Sequence, residues 1–124
     1  MLTYMRSRLI VKVGRTYRLV RTADIDCMET EGNYIRIHLG RRSYLIRQTM
    51  CGMERELDPR CFVRVNRSTL VNVERIKELR AVGPRRLEVV LEDDRSWGWS
   101  RRFRGNLARL VHSSDAGRTF SEEE

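Results

Sequence analysis

The chain of 124 residues contains no apolar run long enough to cross a membrane, and its first residues lack the apolar stretch of a secretory signal. Neither a membrane-spanning nor a secreted protein is suggested, and a cytoplasmic location with no membrane partner is expected. Cysteine is scarce. Cys27, Cys51 and Cys61 are odd in number and form no CxxC pair, which argues against a disulfide framework or a zinc site. Their apolar neighbours suggest buried thiols, with a Cys51–Cys61 redox bridge as the alternative. Histidine is scarcer still. His38 lies in an alternating stretch and His112 follows the last periodic segment, so no Cys-His or Ser-His-Asp arrangement is suggested. Asp93-Asp94 reads as a turn rather than a metal site. The chain is therefore expected not to be an enzyme, and no cofactor is expected. Lysine is nearly missing too: Lys12 and Lys77 stand against 23 arginines.

What is abundant is positive charge. The formal net charge is +8 at pH 7. Residues 113–124 hold four acids and one arginine, so residues 1–112 carry 24 basic and 13 acidic groups, or +11. A domain this basic is attracted to polyanions. Arginine suits bidentate contacts to phosphate and guanine. A GC-rich genome would also raise arginine everywhere, so the placement of the arginines decides more than their number.

The periodicity is mainly that of strands. Leu9–Val13 and Thr16–Val20 form a hairpin about Gly14-Arg15. A strand over Asp24–Thr30 turns at Glu31-Gly32-Asn33 into the clean alternation of Tyr34–Leu39. Gly40-Arg41-Arg42 then turns into Ser43–Arg47. Met50, Met53, Glu54 and Leu57 fall at helical spacing, with Thr49 as N-cap and Pro59 as the stop. A central run follows, Phe62-Val63-Arg64-Val65-Asn66-Arg67-Ser68-Thr69-Leu70-Val71-Asn72, which reads as a half-buried strand, a polar break and a second apolar piece. Ile76–Val82 and Arg86–Leu91 pair across Gly83-Pro84. Ser96–Trp99 is a short strand whose two tryptophans, Trp97 and Trp99, share one face and read as core. Residues 101–111 form a second helix with Phe103, Leu107, Leu110 and Val111 on one side. The organisation is an N-terminal extension over 1–7, one domain over 8–111 and a polar, disordered tail over 112–124.

Ser100 is a good N-cap, yet the turn after it carries Arg101, Arg102 and Arg104 where acids are favoured. An external anion at that helix start would relieve the mismatch, because free amides and guanidiniums would converge on it. The other reading is that these arginines simply extend into water.

Several of these pieces together resemble the LytTR family of DNA-binding domains found in bacterial response regulators. They are Ile25–Tyr34, Tyr44–Arg47, the helix with Leu57, Phe62–Asn72, Ile76 and Ser100–Arg104, in the family's order and spacing over about residues 8–111. The resemblance implies a mainly β fold of small antiparallel sheets packed side by side, with one short internal helix and a C-terminal helix. It also implies transcription regulation through double-stranded DNA, with loops set into successive major grooves on one face of the duplex. Paired sites, a homodimer on DNA, and a receiver or sensor domain in a longer protein go with it.

Motif by motif, the resemblance makes Asn33, Arg67 and Arg102 base contacts. Arg64, Asn66, Ser68, Arg101 and Arg104 become phosphate-side contacts. Asn66 stands where histidine is common in the family. The chemistry fits, since arginine can fork onto guanine O6 and N7 and asparagine can pair with adenine. Asn33 can also be read as turn chemistry, and Asp26, Ser68 and Asn72 as structural side chains that close turns. Tyr34 and Phe62 read as core or core edge. Two alternatives remain: an RNA-binding β module with stacking aromatics, and a protein-interaction or anti-regulator form of the same domain.

Overall fold

The computed structural model describes residues 7–110. The extension expected over 1–7, apart from Ser7, and Val111 with the tail expected over 112–124 lie outside the described residues. Ten strands and one α-helix follow in order: β1 (Arg8–Val13), β2 (Thr16–Arg21), β3 (Cys27–Glu31), β4 (Tyr34–Leu39), β5 (Arg42–Arg47), α1 (Met50–Glu56), β6 (Phe62–Asn66), β7 (Thr69–Asn72), β8 (Ile76–Ala81), β9 (Leu87–Leu91) and β10 (Ser96–Gly98). Short 3-10 turns at Thr22–Asp24 and Val73–Arg75 join them, and a 3-10 helix over Arg101–Leu110 comes last. All pairings are antiparallel. A five-stranded sheet has the order β5-β4-β3-β7-β6, a three-stranded sheet β10-β9-β8, and β1-β2 stands as a hairpin.

The central sheet is buried on both faces, and its alternation sorts residues between two cores. Met28, Ile35, Ile37, Phe62 and Leu70 point to one side, where Leu9, Val11 and Val20 of the hairpin and Met50, Met53 and Leu57 around α1 cover them. Cys27, Val63, Val65 and Val71 point to the other, against Val89, Leu91, Trp99 and the inner face of the 3-10 helix. Strand β6 is therefore buried along nearly its whole length, not half-buried as its alternation suggested. It is also an edge strand, and its free edge is covered. The carbonyl of Val65 accepts from Ser100 N at 2.9 Å, and that of Arg64 from Asn106 Nδ2 at 2.9 Å.

Local chemistry explains the boundaries. Thr49 caps α1 by accepting from Gly52 N at 3.0 Å. Gly14, Gly32, Gly40 and Gly83 take the positive φ that their turns require. The strand expected over Asp24–Thr30 starts later, because Thr22–Asp24 closes a 3-10 turn. The last helix is 3-10 over ten residues, long for that geometry. Asp26 ties three pieces together at one end of the sheet. Its carboxylate accepts from Gly40 N at 2.8 Å, Arg75 Nε at 3.1 Å and Arg95 at 3.3 Å. Asn72 donates to Ile25 O at 2.8 Å beside it. The structural readings of Asp26 and Asn72 hold.

The thiols divide. Only Cys27 is buried; Cys51 and Cys61 are exposed, contrary to the expectation of three buried cysteines, and all three are free. Cys51 is exposed on α1 between Met50 and Met53, with the Arg64 guanidinium 3.6 Å from its Sγ, and Cys61 precedes β6 in a turn. Burial pushes the Cys27 thiol up to about 12, with Arg95 opposing weakly, and burial beside Asp58 raises Cys61 too. An aromatic disulfide reagent at pH 8 should therefore label Cys51 first, Cys61 more slowly, and Cys27 only after unfolding in denaturant. Rapid native labelling of all three would contradict the burial of Cys27.

Candidate nucleic-acid interface

The pairings decide which turns share an edge. Glu29 of β3 lies opposite Thr69 of β7, so the turn at Gly32-Asn33 and the turn at Arg67-Ser68 leave the sheet on the same side. Tyr34 pairs with Arg47, which brings the β5–α1 junction to that side as well. Asn66 adds the last piece: its Nδ2 donates to Gly98 O at 3.1 Å, next to the start of the 3-10 helix. The edge thus carries Arg47-Gln48-Thr49, Gly32-Asn33, Arg67-Ser68 and Ser100-Arg101-Arg102, although these are scattered through the sequence.

At the first turn, Gly32 takes φ +60°, while Asn33 does not need a positive φ. The glycine does the turning, and the exposed Asn33 side chain makes no hydrogen bond among the described residues. Glu31 beside it is held by a two-pronged contact from Arg36, which in turn donates to Ser43 Oγ at 2.9 Å. The hydrogen bond from Arg36 lowers the Glu31 carboxyl below its ordinary range, so the acid nearest the turn stays ionised with a guanidinium set against its charge. Of the two positions expected for Tyr34, core or core edge, the structure gives the edge: it is exposed and lies 5.9 Å from the Arg47 guanidinium. Phe62 is core, as expected.

The second turn is closed by its own side chains. Asn66 Oδ1 accepts from Ser68 N at 2.8 Å, and Ser68 O accepts from Thr30 N at 3.0 Å, locking the two turns side by side. Arg67 projects from the tip, exposed and without an ion pair among the described residues. A bulge between Arg64 and Asn66 aims this end of β6. Arg64 is placed differently from Arg67. It is buried on the α1 side, with Glu54 Oε1 at 3.4 Å, the Phe103 ring at 5.0 Å and Arg67 O at 2.6 Å. Its guanidinium supports the Arg67 turn from beneath.

At the third piece, Arg101 and Arg102 are exposed, and the Arg102 guanidinium lies 5.6 Å from the Phe103 ring. Arg104 spends Nε on Trp99 O at 3.0 Å and one terminal nitrogen on Arg85 O at 3.2 Å. Trp99 is buried, as expected, and its indole donates to Phe103 O at 2.7 Å; Trp97 is half-buried and donates to Glu29 at 3.1 Å.

Two hollows lie along this edge. The first, about 540 Å³, is lined by Asn33, Arg47, Gln48, Thr49, Arg67 and Ser68. The second, about 260 Å³, is lined by Arg85, Arg86, Arg101 and Arg104 beside Ser100 and Trp99. Sequence reasoning missed Arg47, Gln48, Arg85 and Arg86 here. The cross-strand position of Arg47 opposite Tyr34, and of Arg85-Arg86 after the Gly83-Pro84 turn, was the available signal. Elsewhere some basic side chains face acids, as Arg75 and Arg95 meet Asp26, Lys77 meets Asp94, and Arg80 meets Glu78, whereas others, such as Arg8, Arg18, Arg41 and Arg55, make no ion pair among the described residues. Among the described residues no cluster of three metal-ligating side chains forms, and no helix is long and apolar enough to cross a membrane.

The comparisons agree with this architecture. The domain of a Bacillus cereus protein described as a LytTr DNA-binding domain superposes with a TM-score of 0.74 at 16% identity, over 85% of this chain and 96% of that one. The sensory transduction protein LytT of Bacillus subtilis is 30% identical over 105 residues, 85% of this chain and 44% of its own length. The CO-responsive transcriptional regulator RcoM of Rhodospirillum rubrum is 31% identical over 77 residues, 62% of this chain and 32% of that protein. The chain thus spans less than half the length of these curated relatives. The LytTr DNA-binding domain family matches residues 15–112, a stretch that holds every strand but β1 and the whole arginine-lined edge, and the chain belongs to that family.

Proposed function

We propose that the domain binds double-stranded DNA sequence-specifically and serves transcription regulation, with Asn33, Arg67 and Arg102 reading bases in successive major grooves. The observation that carries this reading is the convergence of three separate turns on one edge, each ending in a polar side chain that no acid of the described residues claims. Phosphates would be held by Ser68, Arg101 and the remaining N–H groups of Arg104, with Arg85 and Arg86 beside them. Arg64 and Asn66 act from behind, by fixing the Arg67 turn. The relatives are a sensory transduction protein and a transcriptional regulator, and both are longer than this chain. A receiver or sensor domain elsewhere in a longer protein, paired sites and a homodimer on DNA fit the same reading. The RNA-binding alternative would call for an exposed aromatic platform; the tryptophans are instead packed or half-packed, which leaves the exposed ring of Tyr34 on this edge and Tyr17 on the separate hairpin.

Selection of bound sequences from a random duplex library tests the proposal. A defined consensus, bound more tightly than single-stranded RNA of the same length, is expected. Enrichment of no sequence, or preference for the RNA, would overturn it. Arg101→Ala should weaken all duplexes by a similar factor and flatten the salt slope by about one. A titration series in salt would reveal the opposite case, a loss confined to one sequence.

A further inference from the structure

The first hollow holds a side chain whose surroundings are unusual. Gln48 closes β5 and lines the hollow beside Asn33 and Arg67. Its Oε1 accepts from Thr49 N at 2.8 Å. Four residues on, Gly52 sits inside α1, where glycine is costly. A Cβ there would lie 2.4 Å from Gln48 Oε1 and 2.8 Å from its Cδ. The missing side chain is the seat of the Gln48 carboxamide. With Oε1 held, Nε2 is left with two N–H groups and no acceptor among the described residues.

We infer that Gln48 is a fourth base-reading residue, seated by Gly52 with its NH2 foremost, so that it selects guanine. This rests on the DNA-binding reading proposed above. A glutamine with a free carboxamide answers adenine by giving to N7 and taking from N6. Here Thr49 N takes one of the two lone pairs of Oε1 and holds the oxygen against Gly52 of α1, so the oxygen is turned away from the paired contact that adenine N6 requires. Guanine offers only acceptors on that edge, O6 and N7, which suit a fixed NH2. Gln48 therefore inverts the usual glutamine preference at a base pair near those met by Asn33 or Arg67.

The test compares duplex libraries selected by the wild type, Gln48→Ala and Gln48→Met, the last keeping the length of the side chain without its donors. The wild type should show one guanine that both variants lose, with affinity for the selected duplex falling about five- to tenfold. Gly52→Ala should reproduce that loss by displacing the carboxamide, and should add nothing in the Gln48→Ala background. Adenine at that position, an unchanged consensus with unchanged affinity, or a loss uniform across all sequences would overturn the inference. So would a Gly52→Ala effect that persists without Gln48, since it would act through Thr49. A wild type that enriches no consensus is a different result: it removes the DNA reading itself and this inference with it.

Discussion

Arg67→Ala and Arg102→Ala are each expected to cost about 1–3 kcal/mol of binding to the selected duplex and to relax the preference at one base position. The two substitutions should differ in what else they touch. Arg67 ends a turn closed by Asn66, Ser68 and Arg64 through groups other than its own side chain. Removing its guanidinium leaves that scaffold intact, so the melting temperature should hardly move. Arg102 lies against Phe103, so Arg102→Ala should lose a little packing as well. Fluorescence titration against the selected duplex and single-base variants separates the effects. Wild-type affinity in either variant would remove that arginine from the set of base readers.

The second large effect concerns stability. Trp99→Ala should cost about 3–5 kcal/mol, a large share of the roughly 5–15 kcal/mol that holds a domain together. Trp99 is 2% exposed and makes three bonds at one place. Its backbone N donates to Leu87 O at 2.8 Å, its indole to Phe103 O at 2.7 Å, and its carbonyl accepts from Arg104 at 3.0 Å. Trp99→Phe keeps most of the volume and forfeits the indole bond, a loss nearer 1 kcal/mol plus a small cavity term. Urea denaturation would order the three proteins. An alanine variant as stable as the wild type would mean that this tryptophan is not the keystone of the second core.

Much of this was legible from local pattern. The alternation of Tyr34–Leu39, the Thr49 cap and the glycine turns depend on neighbours in sequence, and they stand as read. Non-local pairing was harder. Nothing in β6 announces that both of its faces are covered, so Arg64 resembled an outward-facing arginine when it is a buried support. Its company of Val63 and Val65 gave no hint, since flanking valines on one face say little about what lies on the other. Tyr34 was left between core and core edge for a related reason: an aromatic at the first position of a strand can sit at the rim, where Arg47 lies across from it. Asn33, Arg67 and Arg102 were named through a family resemblance. What the pairings added is the strand register that gathers them, together with Arg47, which the Tyr44–Arg47 motif contained without a role, and Gln48, which no linear motif marks.

The bond from Asn66 to Gly98 also bears on how such a domain could diversify. It couples the Arg67 turn directly to the segment leading into Arg102, so the distance between these two side chains is not set by the chain that runs between them. That chain includes β8, β9 and an exposed turn at Gly83-Pro84. Residues could be gained or lost at the tip of that hairpin while the spacing of the two contacts along the duplex stayed the same. An insertion between Gly83 and Pro84 that left the selected sequence unaltered would bear this out, and a shifted consensus would count against it. Length variation and target choice would then evolve separately, with the bonds of Asn66, Ser100 and Asn106 across this seam keeping the ruler fixed.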